Sequence, residues 1–400
     1  LNHLLNSLPP YPFERLRALL KGVDASADHS PISMSIGEPK HPAPTLVREA
    51  LVGALDGLSS YPPTLGGEPL RRAIADWLQR RYQLPAIDPA RQILPANGSK
   101  EALYSIAQVA VDVRPGEPQP VVLLPNPCYQ VYEGAALLAG AQPYYVDQGP
   151  ENGFALDWSS VPEAIWARVQ LVYVCSPGNP SGAVVDRAQW AELFARCDRH
   201  GFIIAADECY SEIYPDDRHP PVGALQAAHE LGRHDFRDLL VFSSLSKRSS
   251  LPGLRSGFVA GDARLIEKFL LLRTYSGGAM SATVQTASVA AWRDEDHVME
   301  NRRLYRAKFD AVLPLLQEVL DVRAPAGGFF LWARVPGGDD AAFARGLFAQ
   351  YNVLVLPGSF LARETERGNP GAGFVRIALV DGLAACVEAA RRIRAFAAGS

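Results

Sequence analysis

The sequence predicts an α/β fold: a large domain with a mostly parallel sheet sandwiched by helices, joined to a smaller α+β domain. Three observations predict it. From Thr45 onward, segments of helical period alternate with short β-rich runs, the pattern of a sheet whose strands are linked by covering helices. After about Ala279 that rhythm gives way to one long helical pattern followed by strands and a closing helix. The chain has 400 residues, 48% hydrophobic and 20% charged, which suffices for two or three domains with their own cores.

In chain order, residues 1–40 are rich in proline and small polar residues, with one amphipathic stretch at 13–20. They are expected to form an arm that packs on the small domain or on a partner subunit. Residues 41–280 are expected to form the large domain, with strands at 93–95, 121–124, 143–146, 171–175, 202–206, 239–242 and 257–260. Residues 281–400 are expected to form the small domain: a helical pattern over 284–320, strands near 329–335, 353–356 and 374–379, then a helix. No internal repeat is visible, and Gly66-Gly67, 115–120 and 368–373 read as loops.

A net charge of -4 gives no broad basic field, so nucleic acid and anionic membrane are poor partners and a small molecule is expected. No apolar run reaches membrane-spanning length, and the opening residues carry Pro9, Pro10 and Pro12 instead of a basic-then-apolar leader. The five cysteines are odd in number, widely spaced and mostly within apolar stretches, so reduced thiols and a cytoplasmic location are expected. With no CxxC pair, no HExxH and scattered histidines, no metal site is expected.

In an open α/β sheet, ligands gather beyond the carboxyl ends of the strands. After 93–95 comes Ala-Asn-Gly-Ser-Lys-Glu-Ala-Leu, where Gly98 and Ser99 open a helix; the serine can cap the helix or help its free N–H groups hold a phosphate. After 121–124, Tyr129 can face a planar ligand or the core. Asn179 lies in Pro-Gly-Asn-Pro-Ser-Gly, a turn sequence, whereas Asp207 ends an apolar run and so needs a partner. After 239–242 comes Ser-Leu-Ser-Lys-Arg-Ser-Ser-Leu-Pro-Gly-Leu-Arg. One ligand accounts for all of these: a pyridine-ring cofactor with an aldehyde and a phosphate tail. Lys247 would bond the aldehyde, Asp207 the protonated ring nitrogen, and Asn179 and Tyr210 the ring hydroxylate. Ser99, Ser244 and Arg255 would hold the phosphate.

Seven motifs in order give the chain a strong resemblance to the fold type I, class I/II pyridoxal-phosphate aminotransferases, of the aspartate-aminotransferase-like fold. They are Ser-Ile-Gly-Glu-Pro from Ser35, Tyr61-Pro62-Pro63, Asn-Gly-Ser-Lys-Glu-Ala-Leu from Asn97, Pro-Gly-Asn-Pro-Ser-Gly from Pro177, Asp-Glu-Cys-Tyr from Asp207, Ser-Leu-Ser-Lys from Ser244 with Arg255 beyond, and Phe-Val-Arg-Ile-Ala from Phe374. The resemblance implies pyridoxal 5'-phosphate as cofactor, with Lys247, Asp207 and Tyr210 in catalytic roles. It adds Gly98, Lys100, Ser246 and Tyr129 to the cofactor contacts, Tyr129 as the residue stacked on the ring. It makes Arg376 the clamp for the substrate α-carboxylate, assisted by Asn179 and the backbone near Gly37. Tyr61 resembles a tyrosine that reaches the phosphate of the neighbouring subunit, which implies a homodimer with shared active sites.

Within the family, Tyr-Gln-Val-Tyr-Glu-Gly-Ala-Ala-Leu-Leu-Ala-Gly from Tyr129 and Arg-Thr-Tyr-Ser-Gly-Gly-Ala-Met-Ser from Arg273 resemble bacterial succinyldiaminopimelate aminotransferases of lysine biosynthesis. The implied reaction moves the amino group of glutamate to N-succinyl-2-amino-6-oxopimelate, with Lys247 as the base and neighbouring positive charges holding its pKa low. The arginine that binds the distal carboxylate in dicarboxylate-specific relatives is missing from Tyr-Ser-Gly-Gly-Ala-Met-Ser. Gly277 and Gly278 are expected to leave room for a long side chain, and Lys100 and Arg248 are either cations for a distal carboxylate or surface charges. Open alternatives are another aminotransferase of the class (aromatic, alanine or LL-diaminopimelate type), a C–S β-lyase, and a cofactor-sensing regulator. For the last, the roughly forty residues before the first matching motif are expected to be too few and too proline-rich for a winged helix.

Overall fold

The structure, a computed structural model, describes residues 1–399. Twelve strands occur: β1 (Ile32–Ser33), β2 (Ile93–Ala96), β3 (Val121–Asn126), β4 (Gln142–Asp147), β5 (Val169–Cys175), β6 (Ile203–Asp207), β7 (Leu239–Ser244), β8 (Gly257–Gly261), β9 (Phe330–Arg334), β10 (Val353–Leu354), β11 (Leu356–Pro357) and β12 (Phe374–Ala378). The main sheet has the order β2-β8-β7-β6-β5-β3-β4. Only β8 opposes the others, pairing antiparallel with both β2 and β7. That reversal matters for function. Antiparallel neighbours do not need a long crossover, so β7 returns as β8 after residues 245–256, and this short connection carries Lys247.

The strands are buried on both faces, as a helix-covered sheet requires. Leu239 and Val241 of β7 enter a core containing Trp77, Trp190 and Trp292, while Leu240 and Phe242 enter a second core with Leu103, Ile106 and Tyr132. A separate three-stranded antiparallel sheet, β11-β12-β9, packs with the helices Asp340–Tyr351 and Leu383–Ala398 around Leu331, Ile377, Leu347 and Ile393.

Two sequence expectations need correction here. The helical pattern over 284–320 is two helices, Ala282–Arg293 and Asp296–Gln317, because Asp294 leaves the helical region with φ -101° and ψ 129°. The opening forty residues also do more than form an arm: β1 pairs in parallel with β10, and Ile32 and Met34 are buried in the core of the smaller sheet. Before that, the helix Pro12–Leu19 sets Leu16 against Trp332, Leu356 and Phe374. Tyr11, the N-cap of that helix, lines the cleft between the two sheets.

Among the described residues no helix is long and apolar enough to cross a membrane, and no group of His, Cys, Asp or Glu could hold a metal ion. All five cysteines are buried and unbridged.

Candidate active site

The carboxyl ends of β2, β5, β6 and β7 open on one cavity of about 490 Å³, within the range of small-molecule sites. Lys247 lies on the single helical turn Leu245–Arg248 that follows β7. Its Nζ donates a hydrogen bond to the Gly37 carbonyl and lies 5.3 Å from the centre of the Phe329 ring. Burial lowers its pKa to about 8, and Arg376 adds to the lowering, while Asp207 and Glu38 oppose it. The neighbouring cations expected from the sequence are therefore a lesser cause than desolvation.

Asp207, the last residue of β6, is 4% exposed. The Tyr132 hydroxyl donates to one oxygen at 2.5 Å and the Cys209 N–H to the other at 3.1 Å. Burial raises the carboxyl's pKa, and those two donors hold it back. Tyr132 in turn stacks on Tyr173, with ring centres 4.6 Å apart, and meets Tyr129 edge-on at 5.7 Å.

Arg376, on β12, is also buried and has no carboxylate partner among the described residues. It donates to the Asn179 side-chain oxygen at 3.0 Å and the Ser35 carbonyl at 2.8 Å, its Nε is unpaired, and it lies 4.4 Å from the Phe330 ring centre. Burial lowers its pKa to about 10. A buried cation without a counter-ion is costly, so the site is incomplete until an anion arrives. Tyr210 meets Phe329 and Phe330 edge-on nearby.

At the opposite end, Ser99 opens the helix Ser99–Ala110, and its Oγ accepts from the Cys209 thiol, to which the Ser244 hydroxyl also donates. Arg255 donates to the Pro252 and Asn97 carbonyls and, among the described residues, to no carboxylate. Gly98 has φ +84°, a backbone angle that favours glycine, and a Cβ there would lie 2.3 Å from the Arg255 guanidinium, which would have to move aside.

Thus Gly37, Ser99, Lys100, Tyr129, Asn179, Asp207, Tyr210, Ser244, Ser246, Lys247, Arg255 and Arg376 all line one cavity, with Gly98 directly behind Arg255. Two expectations are not met, those for Arg248 and for Gly277 with Gly278, while Tyr61, expected to serve a neighbouring subunit, and the backbone near Gly37, expected to assist a substrate carboxylate, are not tested within one chain. Tyr61 is fully exposed and away from the cavity. Arg248 is 1% exposed and turned into the core, where it pairs with Glu295 at 2.6 Å and lies over Trp77 and Trp292. Gly277 ends the helix Ala263–Ser276 in the left-handed region, and a Cβ on Gly278 would meet Arg273, so neither glycine serves as cavity wall. The Gly37 carbonyl bonds Lys247, and the backbone group on Arg376 is that of Ser35. The sequence reading also omitted Tyr11, Gln130, Tyr132, Cys209 and Phe330, which line the cavity.

A profile of the family "aminotransferase class I and II" matches residues 30–392. The chain belongs to the class I and II aminotransferases. It is 33% identical to an LL-diaminopimelate aminotransferase of Desulforudis audaxviator over 98% of this chain and 96% of that protein. Among solved structures, an aminotransferase from Neisseria meningitidis superposes with a TM-score of 0.95 at 52% identity, covering 99% of this chain and 100% of the other. A probable N-succinyldiaminopimelate aminotransferase from Thermus thermophilus gives 0.83 at 27% identity, covering 96% and 99%.

The aminotransferase depends on pyridoxal 5'-phosphate, and the residues present fit it. A buried carboxylate held by two donors suits a protonated ring nitrogen. Arg255, free of any carboxylate beside the helix start at Ser99, suits the phosphate. The amine of Lys247 between these groups suits covalent attachment.

Proposed function

We propose that this aminotransferase moves the α-amino group of glutamate to N-succinyl-2-amino-6-oxopimelate in diaminopimelate synthesis. The carrying observation is the charge of the cavity lining: Lys100, Lys247, Arg255 and Arg376 against a single acid, Asp207, which lies at the end of β6 and is already held by two donors. A substrate with a free distal ammonium would need an anion at the rim; Glu38, exposed and near enough to act on Lys247, lies beside the cavity but does not line it. One whose distal nitrogen is acylated brings only carboxylates and an amide, which match Lys100, a cation with no ion pair among the described residues, lying 5.4 Å from the Tyr11 ring centre. The likeness to an LL-diaminopimelate aminotransferase supports a second reading, with unacylated diaminopimelate as substrate.

In this reading Arg376 takes the α-carboxylate in a paired, charge-assisted contact and Asn179 fixes the guanidinium plane. Bound pyridoxal phosphate supplies the electron sink that makes the substrate's α-hydrogen acidic. With a pKa of about 8, Lys247 has a neutral fraction of about one tenth at pH 7 and is the base that removes that proton. The bonds from Tyr132 and Cys209 favour the ionised form of Asp207 against the burial that raises its pKa. We further propose that a second copy of the chain covers Tyr61 together with exposed Leu55 and Leu58, forming a homodimer.

The test is a panel of keto acids with glutamate as donor. The N-succinylated acceptor should have the largest kcat/KM, and Lys100→Ala should lower it several-fold while sparing pyruvate. In the reverse direction, with 2-oxoglutarate as acceptor, faster turnover of unacylated LL-diaminopimelate than of its N-succinyl form would transfer the assignment to the second reading. Release of pyruvate and ammonia from cysteine conjugates would instead indicate a β-lyase.

A further inference from the structure

The turn Leu245–Arg248 is only four residues long, so its last carbonyls lack helical partners. Asn301, on the helix Asp296–Gln317, supplies them: its Nδ2 donates to the Lys247 carbonyl at 3.2 Å and the Arg248 carbonyl at 3.1 Å. Its Oδ1 accepts from the Ser250 hydroxyl at 3.2 Å and faces Nδ1 of His41 at 2.7 Å. All four hydrogen-bonding capacities of the amide are used, and turning it over would set oxygen against two carbonyls.

That polarity propagates outward. His41 must carry its proton on Nδ1, which leaves Nε2 to accept from Lys308 at 2.7 Å. Lys308 also donates to the Leu379 carbonyl at 3.1 Å. With His41 neutral, Nδ1 donates to Asn301 and Nε2 accepts from Lys308, whose Nζ also lies 4.7 Å from the Tyr305 ring centre; burial lowers the pKa of His41, which favours that state, and lowers that of Lys308 to about 8. The other charged groups facing this row are Glu300 and the Lys40–Asp381 pair. Leu379 directly follows β12, the strand that carries Arg376.

We propose that Asn301, held in one orientation by His41 and Lys308, is a positioning residue that fixes the main chain of the lysine turn relative to the strand of Arg376. This rests on Lys247 being the cofactor-bearing lysine and is independent of the keto acid used. It places the reach of Nζ under the control of groups that never touch substrate.

The experiment compares holoenzymes of the wild type, Asn301→Ala, His41→Phe and His41→Gln by visible absorbance against pH, steady-state kinetics and thermal midpoint. Asn301→Ala should lower kcat on the order of 10-fold with KM for glutamate changed less than about twofold, because alignment is lost and substrate binding is not. The pH midpoint of the visible band should move by about half a unit or more. His41→Phe should shift both in the same direction. His41→Gln, whose amide can donate toward Asn301 and accept from Lys308, should restore both, and this pair decides the matter if Asn301→Ala does not fold. A wild-type midpoint and kcat in Asn301→Ala and His41→Phe, or equal losses in His41→Phe and His41→Gln, would overturn the inference. A wild-type visible band that survives in Lys247→Ala would instead remove the assignment of Lys247.

Discussion

The apoprotein should become more stable when its catalytic amine is removed. Lys247 has a folded-state pKa of about 8 against an ordinary 10.5, chiefly because the amine is desolvated. The shift is downward, so the folded state binds fewer protons than the unfolded state between those values, and stability rises with pH across that window. Below pH 8 the folded chain carries the full cost of a buried charge, about 3 kcal/mol at 1.36 kcal/mol per pKa unit. Lys247→Met fills similar space without charge and should recover that amount at pH 7. At pH 10 most unfolded lysine is still protonated but much of the difference has gone, leaving a gain under about 1 kcal/mol. For 400 residues the unfolding entropy is on the order of 0.84 kcal/mol/K, so the gain at pH 7 corresponds to a rise of about 4 °C in Tm. Calorimetry of the cofactor-free proteins at pH 7 and pH 10 measures it. A Lys247→Met protein that is less stable than the wild type, or whose advantage is the same at both pH values, would refute the reasoning.

Three further outcomes follow from the same geometry. Arg376→Lys keeps the charge but loses the planar fork that meets Asn179 and a carboxylate together; kcat/KM should fall about 10- to 150-fold for amino donor and keto acid alike, and a loss confined to one of them would contradict a shared α-carboxylate site. Tyr132→Phe removes the 2.5 Å hydrogen bond to Asp207, so the carboxyl pKa, already raised by burial, should rise by a further unit or so, and the acid limb of the kcat profile should move up with it; an unmoved limb would mean that the ionisation of Asp207 does not limit turnover. Glu212→Gln breaks an ion pair whose side chains are 9% and 3% exposed, leaving Arg81 with an uncompensated charge; a loss of about 3–5 kcal/mol, or about 4–6 °C in Tm, is expected by calorimetry.

The strand ends were legible because chemistry and topology coincide there. A carboxylate closing Phe-Ile-Ile-Ala-Ala, and a lysine just after Leu-Leu-Val-Phe, are costly unless a ligand or partner meets them, and both face the cavity. What escaped the sequence was the support behind these groups. Tyr132 lies in the helix Gln130–Leu138, where an aromatic residue reads as core, and it is indeed stacked on a core tyrosine while its hydroxyl serves Asp207. Tyr11 reaches the site from a proline-rich stretch with no motif to announce it. Asn301 and His41 are separated by 260 positions, so no local pattern could join them.

Arg248 shows most clearly why adjacency in sequence misleads. Consecutive residues on a helical turn point about 100° apart, so only one of Lys247 and Arg248 can face the cavity, and spacing alone does not say which. The tryptophans decide it: Trp77 and Trp292 meet with ring centres 4.9 Å apart, and the Arg248 guanidinium lies 4.8 Å from the Trp292 ring centre and 5.5 Å from that of Trp77. Its fork also reaches the Ala291 and Asp294 carbonyls and Glu295, a combination of stacking and several directed donors that a lysine ammonium cannot reproduce. The arginine that looked like a substrate ligand is therefore an anchor. With Arg248 holding the side of the turn and Asn301 its carbonyls, the freedom left at position 247 lies in the side chain, which is the freedom required of an amine that both bonds a cofactor and moves a proton.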